Sequence, residues 1–201
     1  MITHYNELSM HNNKEKELRG KIDDLNKFRD QLNIAGAKMS QKGFMQDYYF
    51  DNPFLNLKSK NQKLRIRAID YKLIQLCWKG PISVDKQTKI REEIEVGVKN
   101  VESLIKIFEK LGFQNTRFYE RYFETYLLYG VKIRIEQFPI MDILVEIEGE
   151  QHLINRAVTH LNISKDVFGP KTLVSFIKEY EIRNGTPAKL SGFPDNYIPF
   201  K

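Results

Sequence analysis

Val131-Lys132-Ile133-Arg134-Ile135-Glu136 and, a short way on, Val145-Glu146-Ile147-Glu148 alternate an aliphatic side chain with an ionic one at every step. Successive side chains on a strand point to opposite faces, so each run reads as a β-strand with one apolar face and one face that carries only charge. The pattern recurs in Glu15-Lys16-Glu17-Leu18-Arg19, Leu64-Arg65-Ile66-Arg67 and Arg91-Glu92-Glu93-Ile94-Glu95. Two arrangements accommodate it. Either the charged faces are the solvated side of an antiparallel sheet whose apolar side lies under helices, or they turn inward and line a closed barrel. A solvated face normally mixes Thr, Ser, Gln and Asn with its charges, and these runs do not. A barrel of eight strands, moreover, has an interior that just admits side chains or one small ligand.

Working outward, residues 14–22 form a first strand with Glu15, Glu17, Arg19 and Lys21 on one face, weakened or bent at Gly20. Asp23-Asp24 opens a helix with Leu25, Phe28, Leu32 and Ala35 on its apolar stripe, stopping at Gly36. Strands over 44–51, 63–69, 72–79 and 89–98 follow, punctuated by Asn52-Pro53, Asp70 and Gly80-Pro81, with 54–61 a polar loop. A helical period over 101–111 closes at Gly112. Residues 116–128 and 131–137 make a hairpin through Tyr129-Gly130, and 143–149 is the eighth strand. Helices are predicted over 150–161 and from Pro170 through Tyr180. The Gly- and Pro-rich stretch 183–201 reads as an extended, loosely ordered end. The predicted fold is α+β, an eight-stranded antiparallel β-barrel with helices packed outside. It occupies one domain over residues 14–181, between a leader of 1–13 and an extension of 182–201.

The 201 residues suffice for one sizeable core. A formal charge of +6 favours anionic partners, but the basic residues are threaded singly through apolar strands and form no nucleic-acid-binding block. One cysteine, Cys77, excludes an intramolecular disulfide framework and a multi-Cys zinc site. It reads as a small packed residue. No run approaches the roughly 18 apolar residues that span a bilayer, and the N-terminal residues lack a signal-peptide core. A cytoplasmic protein with no membrane partner is expected.

Carboxylates at alternate positions on adjacent strands make a hard oxygen cage for Mg²⁺ or Mn²⁺, ions that bridge to substrate phosphates. Arginines grip phosphate oxygens through a bidentate fork and lysines as point charges. Together these describe a site for a metal-bound triphosphate.

The same segments, with Gln46-Asp47-Tyr48-Tyr49-Phe50-Asp51 and Trp78-Lys79-Gly80-Pro81, occur here in the order that resembles the CYTH family over roughly residues 14–181. That family, also called the triphosphate tunnel metalloenzymes, includes class IV adenylyl cyclases, thiamine triphosphatases and inorganic triphosphatases. The resemblance implies an eight-stranded tunnel. It makes Glu15, Glu17, Glu136, Glu146 and Glu148 the metal ligands, and Arg65, Arg67, Lys79, Arg91 and Arg121 the residues that hold the triphosphate; Arg117, Lys132 and Arg134, on the same charged strand faces, are further substrate-binding candidates. Arg117 and Arg121 share the correct strand parity. Arg19 stands where the family has Lys, with Lys21 on the same face, and these two with Lys79 are the catalytic candidates. Glu136 stands where many members have Asp, and Cys77 where Thr is common. The expected substrate is ATP, tripolyphosphate or thiamine triphosphate, or else the 5′-triphosphate of RNA, handled by a monomer or homodimer. The expected activity is metal-dependent hydrolysis, with adenylyl cyclisation and non-catalytic binding as alternatives. His4, His11, His152 and His160 are scattered and are not expected to ligate metal. The aromatic residues read as packing, and Asp47 and Asp51 as shaping the turn at Pro53.

Overall fold

The computed structural model describes residues 14–85, 88–164 and 167–200. The side chains of Lys14, Glu15, Asp85, Thr88 and Lys89 lie outside that description, as does the leader 1–13. Eight strands close into one antiparallel barrel: β1 (Lys14–Ile22), β2 (Lys38–Asp51), β3 (Lys63–Ile69), β4 (Leu73–Asp85), β5 (Thr88–Val98), β6 (Gln114–Leu128), β7 (Val131–Gln137) and β8 (Ile143–Glu148). The order around the barrel is β1-β5-β4-β3-β2-β6-β7-β8, and the β1–β8 pairing, with Glu17 opposite Glu148 and Arg19 opposite Glu146, closes it. Closure leaves no sheet edge. Of the two arrangements the alternating runs allow, the inward-facing one is found.

The apolar faces point outward and helices cover most of them, leaving Ile94 and Val96 of β5 half-exposed. Helices α1 (Leu25–Ile34) and α4 (Gln151–His160) bury Leu25, Phe28, Leu32, Ile154, Ala157 and Val158 against Leu18, Val131, Ile133, Ile135, Val145 and Ile147. Helix α3 (Val101–Lys110) covers Ile66, Ala68 and Ile74 through Val101 and Phe108, and α5 (Leu173–Asn184) seats Phe176 on Phe138 and Leu144. The two larger cores lie outside the barrel wall, whereas Met45 and Ile69, buried with Phe123, share the inner face with the charged residues, so the lumen is mainly ionic. Three helix starts carry side-chain caps: the Asp24 carboxylate accepts from the Lys27 N–H, Asn100 from Ser103 and Thr172 from Ser175. Tyr129-Gly130 forms the expected hairpin with both residues at positive φ, and Asp70-Tyr71 forms a second of the same kind.

Three expectations are revised. The predicted break at Gly80-Pro81 is a register shift inside β4, between Lys79 and Ile82, because a bulge accommodates a proline that has no N–H to donate. The polar loop 54–61 contains a short helix, α2 (Asn56–Ser59), held by the Asp51 carboxylate, which accepts from the N–H groups of Leu57 and Lys58 at 3.0 and 2.9 Å. The C-terminal stretch is packed along the barrel exterior. Lys189 bridges to Ile140, the Gly192 N–H donates to Glu120 at 2.7 Å, and Phe193 and Tyr197 pack on Phe44 and Tyr122.

Candidate active site

Inside the barrel runs a cavity of about 830 Å³ lined by charged side chains from all eight strands. Asp47 on β2 is its hub. Its carboxylate, fully buried, accepts from Arg67 Nε and Nη2 at 2.7 and 2.9 Å and from Arg121 Nη2 at 2.8 Å, with Arg65 Nε 3.9 Å away. Burial pushes the Asp47 carboxyl up, but Arg121, Arg67 and Arg65 outweigh it and hold the group well below the usual carboxylate range. Arg121 also donates through Nε to Glu136 at 2.8 Å. Burial again opposes ionisation there, and Arg121, followed by Arg19, Arg134 and Arg67, holds Glu136 at about 2. Both carboxylates are therefore anions that fix arginines in place.

The predicted positions distribute as follows. Glu17, Arg19, Arg65, Arg67, Lys79, Arg91, Arg121, Lys132, Arg134, Glu136, Glu146 and Glu148 all line the cavity. Arg19 pairs with Glu146 and lies 3.5 Å from Glu136, while Lys79 pairs with Glu93. Arg134 lies 3.6 Å from Glu146, and Lys132 pairs with Glu148 at 2.7 Å. Arg91 is committed to the wall, donating to the carbonyls of Gly80 and Asn61 at 2.5 and 2.6 Å. Two residues stay out of the lining. Lys21 pairs with Asp23 at 2.7 Å toward the end of β1, and Arg117 lies over the Tyr49 ring, 5.8 Å from its centroid. Of Glu15 only the backbone is described, opposite Arg91 in β1.

Asp47 was read as a turn residue; only Asp51 plays that part. Its partner Arg67 lies across a β2–β3 register that the connection over 52–62 sets, and alternation alone does not reveal it. Lys63, at the first position of β3, also lines the cavity, as do Tyr49, Glu93 and Glu95.

The donor set fits a hard divalent cation at one place. Glu17 and Glu148 are directly opposed across β1–β8, which sets their Cβ atoms roughly 5 Å apart. Two facing carboxylates on the inner wall offer the oxygen ligands that suit Mg²⁺ or Mn²⁺, with the Lys132 ammonium beside Glu148. Among the described residues, a second convergence joins Cys77, Glu93 and Glu95, with ligating atoms within 4.8 Å of one another. Burial pushes the Cys77 thiol up to about 11, so it stays protonated, and Lys79 and Arg65 already engage the two carboxylates. That group does not suit a hard cation.

The family model of the CYTH domain matches residues 13–183. The chain belongs to the CYTH family. A relative from Methanocaldococcus jannaschii named "Putative adenylate cyclase MJ0240" is 33% identical over 162 residues, covering 76% of this chain and 91% of the relative. Among solved structures, a chain of the same designation from Vibrio parahaemolyticus superposes with a TM-score of 0.71 at 13% identity, covering 82% of this chain and 97% of that one. The Hippeastrum protein HpAC1, described as having a dominant triphosphatase activity, superposes with a TM-score of 0.61 at 14% identity over 89% of this chain and 98% of its own. These likenesses show the shared CYTH fold.

Proposed function

We propose that this CYTH protein is a divalent-metal-dependent enzyme that hydrolyses an inorganic or organic triphosphate. The observation that carries the reading is a set of buried guanidinium donors that have no hydrogen-bond acceptor among the described residues: Nε of Arg19, Arg65 and Arg134 and Nη1 of Arg121. Each such donor costs about 1–3 kcal/mol of desolvation. Four around one cavity are accounted for by a polyanion with many oxygens. Arg65, Arg67, Arg121 and Arg134 would share the phosphate oxygens, with Lys79 and Lys132 as point charges. Glu17 and Glu148, with Glu15 beside them in sequence, would hold Mg²⁺ or Mn²⁺; Glu136 and Glu146 complete the acidic set while orienting Arg121 and Arg19. A bound divalent cation would neutralise phosphate charge and supply an activated water. Arg19 is a guanidinium and serves as a fixed donor to a phosphate oxygen, not as a base.

The name of the 33% identical relative favours a second reading, adenylyl cyclisation. There the ribose 3′-hydroxyl attacks the α-phosphorus and pyrophosphate leaves, and the difference lies in which phosphorus stands in line with the nucleophile. Incubation with ATP, tripolyphosphate and thiamine triphosphate in Mg²⁺ or Mn²⁺ separates the readings. Orthophosphate release supports the hydrolase. Cyclic AMP with pyrophosphate supports the cyclase, and binding without turnover makes the protein a triphosphate or RNA 5′-end binder.

A further inference from the structure

Lys63 opens β3 and is half-buried in the cavity wall, directly opposite Lys79 in the β3–β4 register. The charged groups around it are cationic: Lys79 from β4, Arg91 from β5, Arg19 from β1 and Arg117 from β6. Carboxylates of the same region are engaged elsewhere, Glu93 by Lys79, Glu95 by Arg65, and Asp51 by the N–H groups of Asn52, Leu57 and Lys58. Among the described residues Lys63 has no hydrogen bond or ion pair, whereas the other cavity lysines Lys16, Lys79 and Lys132 each pair with a glutamate. An ammonium in such a place is disfavoured twice, by lost hydration and by its neighbours.

We propose that Lys63 is a substrate-contacting residue that binds an anionic oxygen at one end of the phosphate chain. This rests on the triphosphate reading and adds to it a cation that the recurrent strand motifs do not include. In the free protein, burial and then Arg91, Lys79, Arg19 and Arg117 push the Lys63 amine down to about 7. A phosphate brought beside it reverses the balance. Binding near neutral pH therefore takes up a proton at Lys63, and affinity falls as the pH rises above the free amine's titration.

The test is calorimetric titration with imidotriphosphate, a non-hydrolysable tripolyphosphate analogue, in the presence of Mg²⁺. Lys63→Met is expected to weaken binding at least about tenfold, and Lys63→Arg to stay within about threefold of wild type. In two buffers of different ionisation enthalpy at pH 7.5, wild type takes up a fraction of a proton that Lys63→Arg does not. Because the methionine removes a half-buried amine crowded by cations, the free Lys63→Met protein should melt at a higher temperature, and Lys63→Gln provides a second neutral variant. If wild type binds but both neutral variants bind equally well, or if Lys63→Arg takes up the same proton, the role of Lys63 is refuted while the triphosphate reading stands. If wild type does not bind the analogue, both fall.

Discussion

Asp47 and Arg67 face each other across β2 and β3 in a two-point ion pair, with hydrogen bonds of 2.7 and 2.9 Å, inside a barrel whose larger apolar cores are on the outside. The pair carries Arg121 as well, and through it Glu136. Asp47→Asn keeps the shape and removes the charge. Breaking a buried network from one side leaves uncompensated cations, so a loss of about 3–5 kcal/mol is expected in urea unfolding. A loss under about 1 kcal/mol would show that the arginines do not depend on Asp47.

Acid should unfold the protein through the same groups. Glu136 and Asp47 are both held below their ordinary values, Glu136 at about 2. A depressed carboxyl contributes stability that is complete above its unfolded value and is lost as the pH falls through its folded one. Metal-free urea midpoints should therefore decline steeply between about pH 4.5 and 2. The Asp47→Asn series should be shallower over the same window, and parallel curves would contradict the assignment.

Gly20 sits between Arg19 and Lys21, and a Cβ there would lie 2.7–2.8 Å from the Phe168 ring. Phe168 is buried and its chain neighbour Gly169 is hydrogen-bonded to Arg19 in both directions, so the ring has little freedom to retreat. Gly20→Ala should cost about 1–3 kcal/mol of stability. It should also raise KM for the triphosphate by moving Arg19, and unchanged melting would mean that the ring gives way.

Arg134 is the lumen arginine least favoured by its surroundings, pushed down to about 10 by burial and by Arg67. Its Nε has no acceptor among the described residues. Arg134→Met should leave stability unchanged or higher and raise KM at least about tenfold, measured by steady-state kinetics against folded protein. A KM equal to wild type would remove Arg134 from the phosphate site.

Much of this architecture was legible because alternation in a strand is a local property. Val145-Glu146-Ile147-Glu148 and Leu64-Arg65-Ile66-Arg67 each declare a charged face, and such runs among eight predicted strands suffice to propose a closed barrel. What alternation does not contain is pairing. The partnership of Asp47 with Arg67 depends on register, and the isolation of Lys63 depends on what four other strands bring to it. Lys21 shows the complementary failure. It has the correct parity for the lumen, but at the end of β1 Asp23 captures it. Gly and Pro content likewise made the C-terminal stretch look loose, whereas Phe193 and Tyr197 give it an aromatic anchor on the barrel.

The central claim is that opposed glutamates and inward arginines form a metal-assisted triphosphate site, and it is tested most directly by following orthophosphate released from tripolyphosphate with and without Mg²⁺ or Mn²⁺, in wild type and in Glu148→Gln. Turnover is expected only with metal. In Glu148→Gln the metal concentration for half-maximal rate should rise at least about tenfold without loss of folded protein. Turnover that proceeds equally in chelator, or a Glu148→Gln protein with an unchanged metal requirement, would contradict it.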